Sequence, residues 1–205
     1  MSNSPVRKEV PNKKIFEFVT GHTTIHTFQD IYYDILTCNY SSPSEFMRVM
    51  WSRYVVRNYS KQLDVRIFRS LLSVLFYREA ISPMHLFASF NYLPNIDFDF
   101  VAYSEENGPI ILSAKTSLRE RYKQADLEGM MLRHVHRAAK SFLITLDEKE
   151  AVTVNKKIKN DLALGLDEVV VATSSEFDAL IKRLKGYTYI EPPKVDVLTS
   201  KRVIS

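Results

Sequence analysis

Residues 110–129, IILSAKTSLRERYKQADLEG, run from an apolar stretch into Lys115, then crowd Arg119, Glu120 and Arg121 together ahead of Glu128. Just upstream, IDFDFVAY sets Asp97 and Asp99 two positions apart. These residue types suit two kinds of chemistry. Carboxylates that converge in a buried place can hold a divalent cation that prefers oxygen ligands. Alternatively, an acid and a lysine that meet inside a sheet can neutralise one another as a plain salt bridge, because either would cost several kcal/mol if buried unpaired.

The elements that must position them follow from periodicity. After Pro94 the apolar period is two, with Asp97, Asp99, Val101 and Tyr103 on one face and Ile96, Phe98, Phe100 and Ala102 on the other, which predicts a strand. The Asn107-Gly108 pair predicts a turn, and IILSAK returns as a second strand, so residues 96–115 read as an antiparallel hairpin. Folding it back brings Asp99 close to the level of Ser113 and Lys115. Hairpin register therefore favours Asp99 over Asp97 as the acid beside the lysine, with Asp97 remaining the competitor. A long helix over 118–139 comes next, opened by the capping box SLRE, in which Ser117 caps and Glu120 reaches back. Arg119, Glu120 and Arg121 then occupy the electropositive first turn, where phosphate can approach, although a cap with solvated arginines is the plainer reading. At about 100° per residue, Glu128 falls on the stripe of Ala125, Leu132 and Val135 that must face the sheet. An acid there requires a partner, and a cation shared with Asp99 is a good one.

The segment DFVAYSEENGPIILSAKTSLRERYKQADLE resembles the active-site region of the PD-(D/E)xK nucleases. Within that superfamily it is similar to the EcoRII-like branch of type II restriction endonucleases, which recognise sites containing CC/GG. Most of the superfamily carries an acid two residues before the lysine, where this sequence has Ser113. The branch has the same loss, with the second acid displaced to the following helix, and Glu128 stands thirteen positions after Lys115. Its arginine-acid-arginine cluster is matched by Arg119, Glu120 and Arg121. The resemblance covers about thirty residues and implies a restriction-endonuclease-like core. It further implies Mg²⁺ held by Asp99, Glu128 and the carbonyl of Ala114, with Lys115 beside the attacking water and the scissile phosphate. Two arginines and one glutamate match the acceptor and donor edges of adjacent G·C pairs in the major groove, with Gln124 a weaker candidate for reading bases. Cutting both strands of double-stranded DNA implies a homodimer.

The rest of the chain frames this segment. Residues 1–14 read as a loose basic leader and 15–205 as a single domain, with a helical part over 27–81 and an α/β core over 92–190. Within the helical part, SPSE begins a helix with a Ser-Pro start and Glu45 in its first turn. Downstream, SFLITL, KEAVTVNKKIKNDLA, EVVVAT and SEFDALIKRLKG alternate as strand, helix, strand and helix. The fold class expected is α/β: a mixed central sheet, antiparallel at the hairpin and parallel at the crossovers, flanked by helices.

Composition sets outer bounds. With 45% hydrophobic residues the chain can build a core, and the formal charge of +4 suits a polyanionic partner without requiring one. The single Cys38 excludes an internal disulfide or multi-cysteine zinc site and points to a reducing cytoplasm. No run approaches the ~20 apolar residues of a membrane span. His134 and His136 are two apart on a helix and point to different sides, so they do not share a metal. Glu79 reads as a solvated helix-end acid, NKKIKND as a solvated basic face, and Tyr54 and Arg57 as candidates to line DNA for which periodicity favours core packing. Two rivals to a restriction enzyme remain: a structure-selective repair or junction nuclease, and a non-catalytic DNA-binding module.

Overall fold

Helix punctuation and strand alternation divide the chain into twelve elements over the residues described by the structure, a computed structural model covering 25–57, 59–192 and 198–204. The expected leader over 1–14 lies outside them. Three helices come first: α1 (Ile25–Ile31), α2 (Pro43–Val55) and α3 (Lys61–Arg78). At α2 the Ser-Pro start acts as expected. Ser42 caps by accepting from the Glu45 N–H, and Pro43 occupies a first-turn position whose N–H is not needed. Along α3, Ile67, Phe68, Leu71, Leu72, Val74, Leu75 and Phe76 are fully buried, so this helix forms one wall of the main core.

The strands β1 (Met84–Phe90), β2 (Phe98–Ser104) and β3 (Gly108–Lys115) form an antiparallel meander, and β4 (Lys140–Thr145) and β5 (Glu168–Val171) extend it in parallel. With β6 (Leu198–Ile204) against β1, the sheet order is β5-β4-β3-β2-β1-β6. Crossover helices α4 (Arg121–Val135) and α5 (Glu148–Lys159) connect the parallel strands, and α6 (Ser175–Lys185) follows β5. Three clusters of apolar residues cover the faces. One joins α1, α2, α3 and α6 to Phe100, Ala102, Leu112, Ala114 and Ile144, a second joins Tyr122 and Ala125 of α4 to α5 and Leu143, and a third joins Phe98, Val101 and Ile111 to Leu132 of α4. The expected class, an α/β mixed sheet flanked by helices with a helical N-terminal region, is what the chain forms. β1 and β6 were not anticipated.

The hairpin register differs in detail from a two-residue Asn-Gly turn. Ser104 pairs with Gly108, leaving the three-residue loop 105–107, and Gly108 takes the left-handed φ of 67° that this kind of loop needs. The observed pair Phe100↔Leu112 places Asp99 at the level of Ser113.

Two further features fix α4. Gly165, in the loop before β5, lies so close under the helix that a Cβ there would fall 1.7 Å from the Asp126 carbonyl oxygen, and a Cβ on Gly129 would fall 2.2 Å from the Gly165 oxygen. Asp126 binds the same loop by accepting the Gly165 N–H at 2.7 Å.

Candidate active site

At the level of Asp99 the sheet becomes irregular. The β1–β2 pairs on either side are Leu86↔Phe100 and Ala88↔Phe98, and between them Phe87 adopts φ 49°, a left-handed conformation unfavourable for a bulky residue. Strict alternation also fails there. Phe98 packs with Val101 and Leu132 rather than with Phe100 and Ala102, as period two had predicted. Between β2 and β3 the paired residues run from Ser104↔Gly108 to Phe100↔Leu112. Beyond that point the Ala114 N–H donates to Asp99 Oδ2 at 2.8 Å. A side chain takes over a ladder position, and that directs a carboxylate to the end of β3.

Asp99 is 7% exposed and carries two cations. Lys115 Nζ lies 3.9 Å from Oδ2, and Arg69 Nη2 of α3 lies 2.7 Å from Oδ1. Asp97 is exposed and precedes β2, so of the two competing aspartates Asp99 stands in the cluster.

Glu128 reaches the same place from α4. It is 8% exposed, and Gln124 donates to its Oε1 at 2.7 Å. Burial pushes its carboxyl above the ordinary value of 4.5; the Gln124 hydrogen bond and the charge of Lys115 pull it down, Asp99 pushes it up, and Arg69 draws it down. Lys115, Asp99 and Arg69 all act on Glu128 electrostatically, so the buried acid of α4 senses the charges gathered on Asp99. Ala125 and Leu132 share its buried stripe as expected, whereas Val135, the last residue of α4, is 48% exposed. The stripe drifts off the sheet where the helix ends.

The start of α4 departs from the capping-box expectation. The helix begins at Arg121 with Glu120 as its N-cap, no side-chain cap bond forms, and Ser117 stands outside it. Leu118 is fully buried beside Tyr122 and Leu143, and a turn with Arg119 at φ 32° and the Arg121 N–H on the Leu118 carbonyl separates that anchor from the helix. Glu120 pairs with Lys123 instead. Arg119, Glu120 and Arg121 are all exposed at the helix start, a few residues beyond Lys115. Gln124 is exposed as well, and one amide N–H donates to Glu128, which gives it a positioning role there.

Other expectations resolve individually. Glu79 is not solvated: its side chain is 12% exposed, accepts from Tyr40 at 2.7 Å and pairs with Lys185 at 2.8 Å. Tyr54 is buried and donates to Asp64. Arg69 was missed by sequence reasoning, although a signal existed: a charged residue between Phe68 and Leu71 on an otherwise buried helix requires an acid.

The donor set fits an ion that prefers oxygen. Asp99 and Glu128 supply two buried carboxylates, the Ala114 backbone is engaged through its N–H on Asp99, and no group of three or more His, Cys, Asp or Glu gathers among the described residues. One or two carboxylates, with the remaining positions left to water and substrate phosphate, is the arrangement Mg²⁺ generally takes.

No protein-family model and no curated protein matches the chain. Among solved structures, one described as "Metal-depleted Ecl18kI in complex with uncleaved, modified DNA" is similar at 17% identity and a TM-score of 0.36, over 85% of this chain. The chain spans 57% of the length of that one. Likeness at that level assigns neither family nor activity. No helix among the described residues is long and apolar enough to cross a membrane.

Proposed function

We propose that the protein is a Mg²⁺-dependent type II restriction endonuclease with a restriction-endonuclease-like core, acting as a homodimer on double-stranded DNA at a short site containing CC/GG. The observation that supports this reading is the buried Asp99–Lys115 pair at the end of the β2–β3 hairpin, with a second buried acid, Glu128 of α4, sensing both charges, in the sequence spacing that the resemblance requires. The exposed Arg119, Glu120 and Arg121 lie immediately beyond it.

Each side chain has a task derived from its position. Asp99, held by the Ala114 N–H, and Glu128, held by Gln124, are two carboxylates oriented before any ligand arrives. Bound Mg²⁺ supplies Lewis acidity to the phosphodiester and the attacking water. The Lys115 ammonium, 13% exposed at the strand end, can meet a phosphate oxygen and counter the charge that develops on it. At the start of α4, arginine can take the O6 and N7 acceptors of guanine and the carboxylate can take the cytosine amino group.

Incubating purified protein with phage DNA and Mg²⁺ tests the reading. Discrete bands are expected from the parent and intact DNA from Lys115→Ala. A DNA-binding module would leave the duplex whole in both samples, and a structure-selective nuclease would cut branched substrates while giving no discrete bands on plain duplex.

A further inference from the structure

Arg69 places a permanent cation on Asp99, the carboxylate that the nuclease reading assigns to the ion. Its Nη2 lies 2.7 Å from Asp99 Oδ1, while the other oxygen of Asp99 already accepts from Ala114 and faces Lys115. Two carboxylates and two cations sum to zero at this cluster before any metal arrives. Divalent ions are ordinarily drawn to sites whose carboxylates are in excess, so in the DNA-free protein this one offers little attraction.

The arrangement is also incomplete in a telling way. Arg69 Nε is buried and has no hydrogen-bond partner, so the guanidinium does not grip Asp99 through the side-on Nε–Nη fork. Its planar group lies 5.8 Å from the centre of the Phe87 ring, at the residue whose backbone is strained. The side chain is 25% exposed, which leaves it a route toward solvent and toward a phosphate. A phosphodiester at the cluster would supply the negative charge and the paired oxygens that Asp99 alone does not.

Resting on the nuclease reading, we propose that Arg69 is an internal stand-in for the metal: it occupies Asp99 until a DNA phosphate draws it away, which couples divalent-ion binding to duplex binding. Linkage then requires that the ion strengthen duplex binding by the same factor as the duplex strengthens ion binding.

Ca²⁺ titrated calorimetrically into the full chain tests this. The parent without DNA should bind weakly, and its affinity should rise at least about ten-fold with a short duplex spanning the mapped cut site. Arg69→Gln and Arg69→Met, checked for folding by circular dichroism, should bind Ca²⁺ at least about ten-fold more tightly than the parent without DNA, gain much less from the duplex, and lose the ion when Asp99→Asn is added. Equal parent affinity with and without duplex overturns the coupling with no variant needed. Equal affinity of parent and both variants, still abolished by Asp99→Asn, removes the role of Arg69 and leaves the nuclease reading intact. Absence of Ca²⁺ binding in every protein, with or without duplex, overturns both.

Discussion

Asp99 and Asp167 are near twins with different surroundings. Each sits at a strand end, accepts a backbone N–H from a neighbouring strand, and faces one arginine and one lysine. For Asp167 these are the Ser141 N–H at 2.7 Å, Arg133 at 2.5 Å and Lys140 at 3.7 Å. The Asp167 cluster is more open, with side-chain exposures of 26% for the acid and 38% for Lys140, against 8% and 13% for Asp99 and Lys115. The larger difference is Glu128. Asp99 has a second buried acid acting on it, held by a neutral amide and raised by burial, and an arginine with an idle buried nitrogen. Each cluster keeps one idle buried polar atom, Arg69 Nε at Asp99 and Oγ of the Ser141 whose N–H binds Asp167, so what sets the Asp99 cluster apart is its deeper burial and the second buried acid acting on it.

That contrast can be broken in several ways. Asp99→Asn should lower plasmid cleavage by about 10²–10³-fold or more, as expected when a preorganised electrostatic group is removed, whereas Asp167→Asn should leave the cleavage rate near that of the parent. Equal losses would make the two aspartates functionally alike. Arg119→Ala should relax discrimination at one G·C pair by about 1–3 kcal/mol, read by comparing cleavage of the mapped site with single-base variants. In urea melts, Asp167→Asn should destabilise the chain by about 1 kcal/mol, discounted for the exposure of its partners. The smallest effect should come from Glu128→Gln in metal-free protein. Because the folded carboxyl is raised above 4.5, the folded chain binds more protons than the unfolded one as pH climbs past that value, so stability falls with rising pH and the penalty is complete above the folded pKa. Glu128→Gln should therefore raise Tm at pH 7, with the gain shrinking toward pH 4. A gain that grew on acidification would contradict the burial of this acid.

Much of the cluster was readable from local rules. A period of two and a turn signal brought Asp99 toward the end of β3, although the observed loop 105–107 moves the register by three from that of an Asn107-Gly108 turn and so sets Asp99 level with Ser113, and helical spacing put Glu128 on the buried side of α4. What escaped depends on distant parts of the chain. No spacing ties Arg69 to Asp99, thirty positions away, because the contact exists only once α3 packs on the sheet. The capping box at Ser117 satisfied local rules, but burial of Leu118 among Tyr122 and Leu143 shifted the helix start. Of the two strands that were missed, β1 is paired on both edges and mostly buried, so it lacks the polar alternation of a half-solvated strand.

The Gly129–Gly165 contact gives Glu128 its footing. With backbone pressed directly on backbone one residue past the acid, α4 has no side chains there to cushion a slide or a roll. The loop ahead of β5 thus works as a chock under the helix. A single methyl added at Gly165 would be felt at Glu128 as a change of aim, even though that loop supplies none of the cluster's ionisable groups.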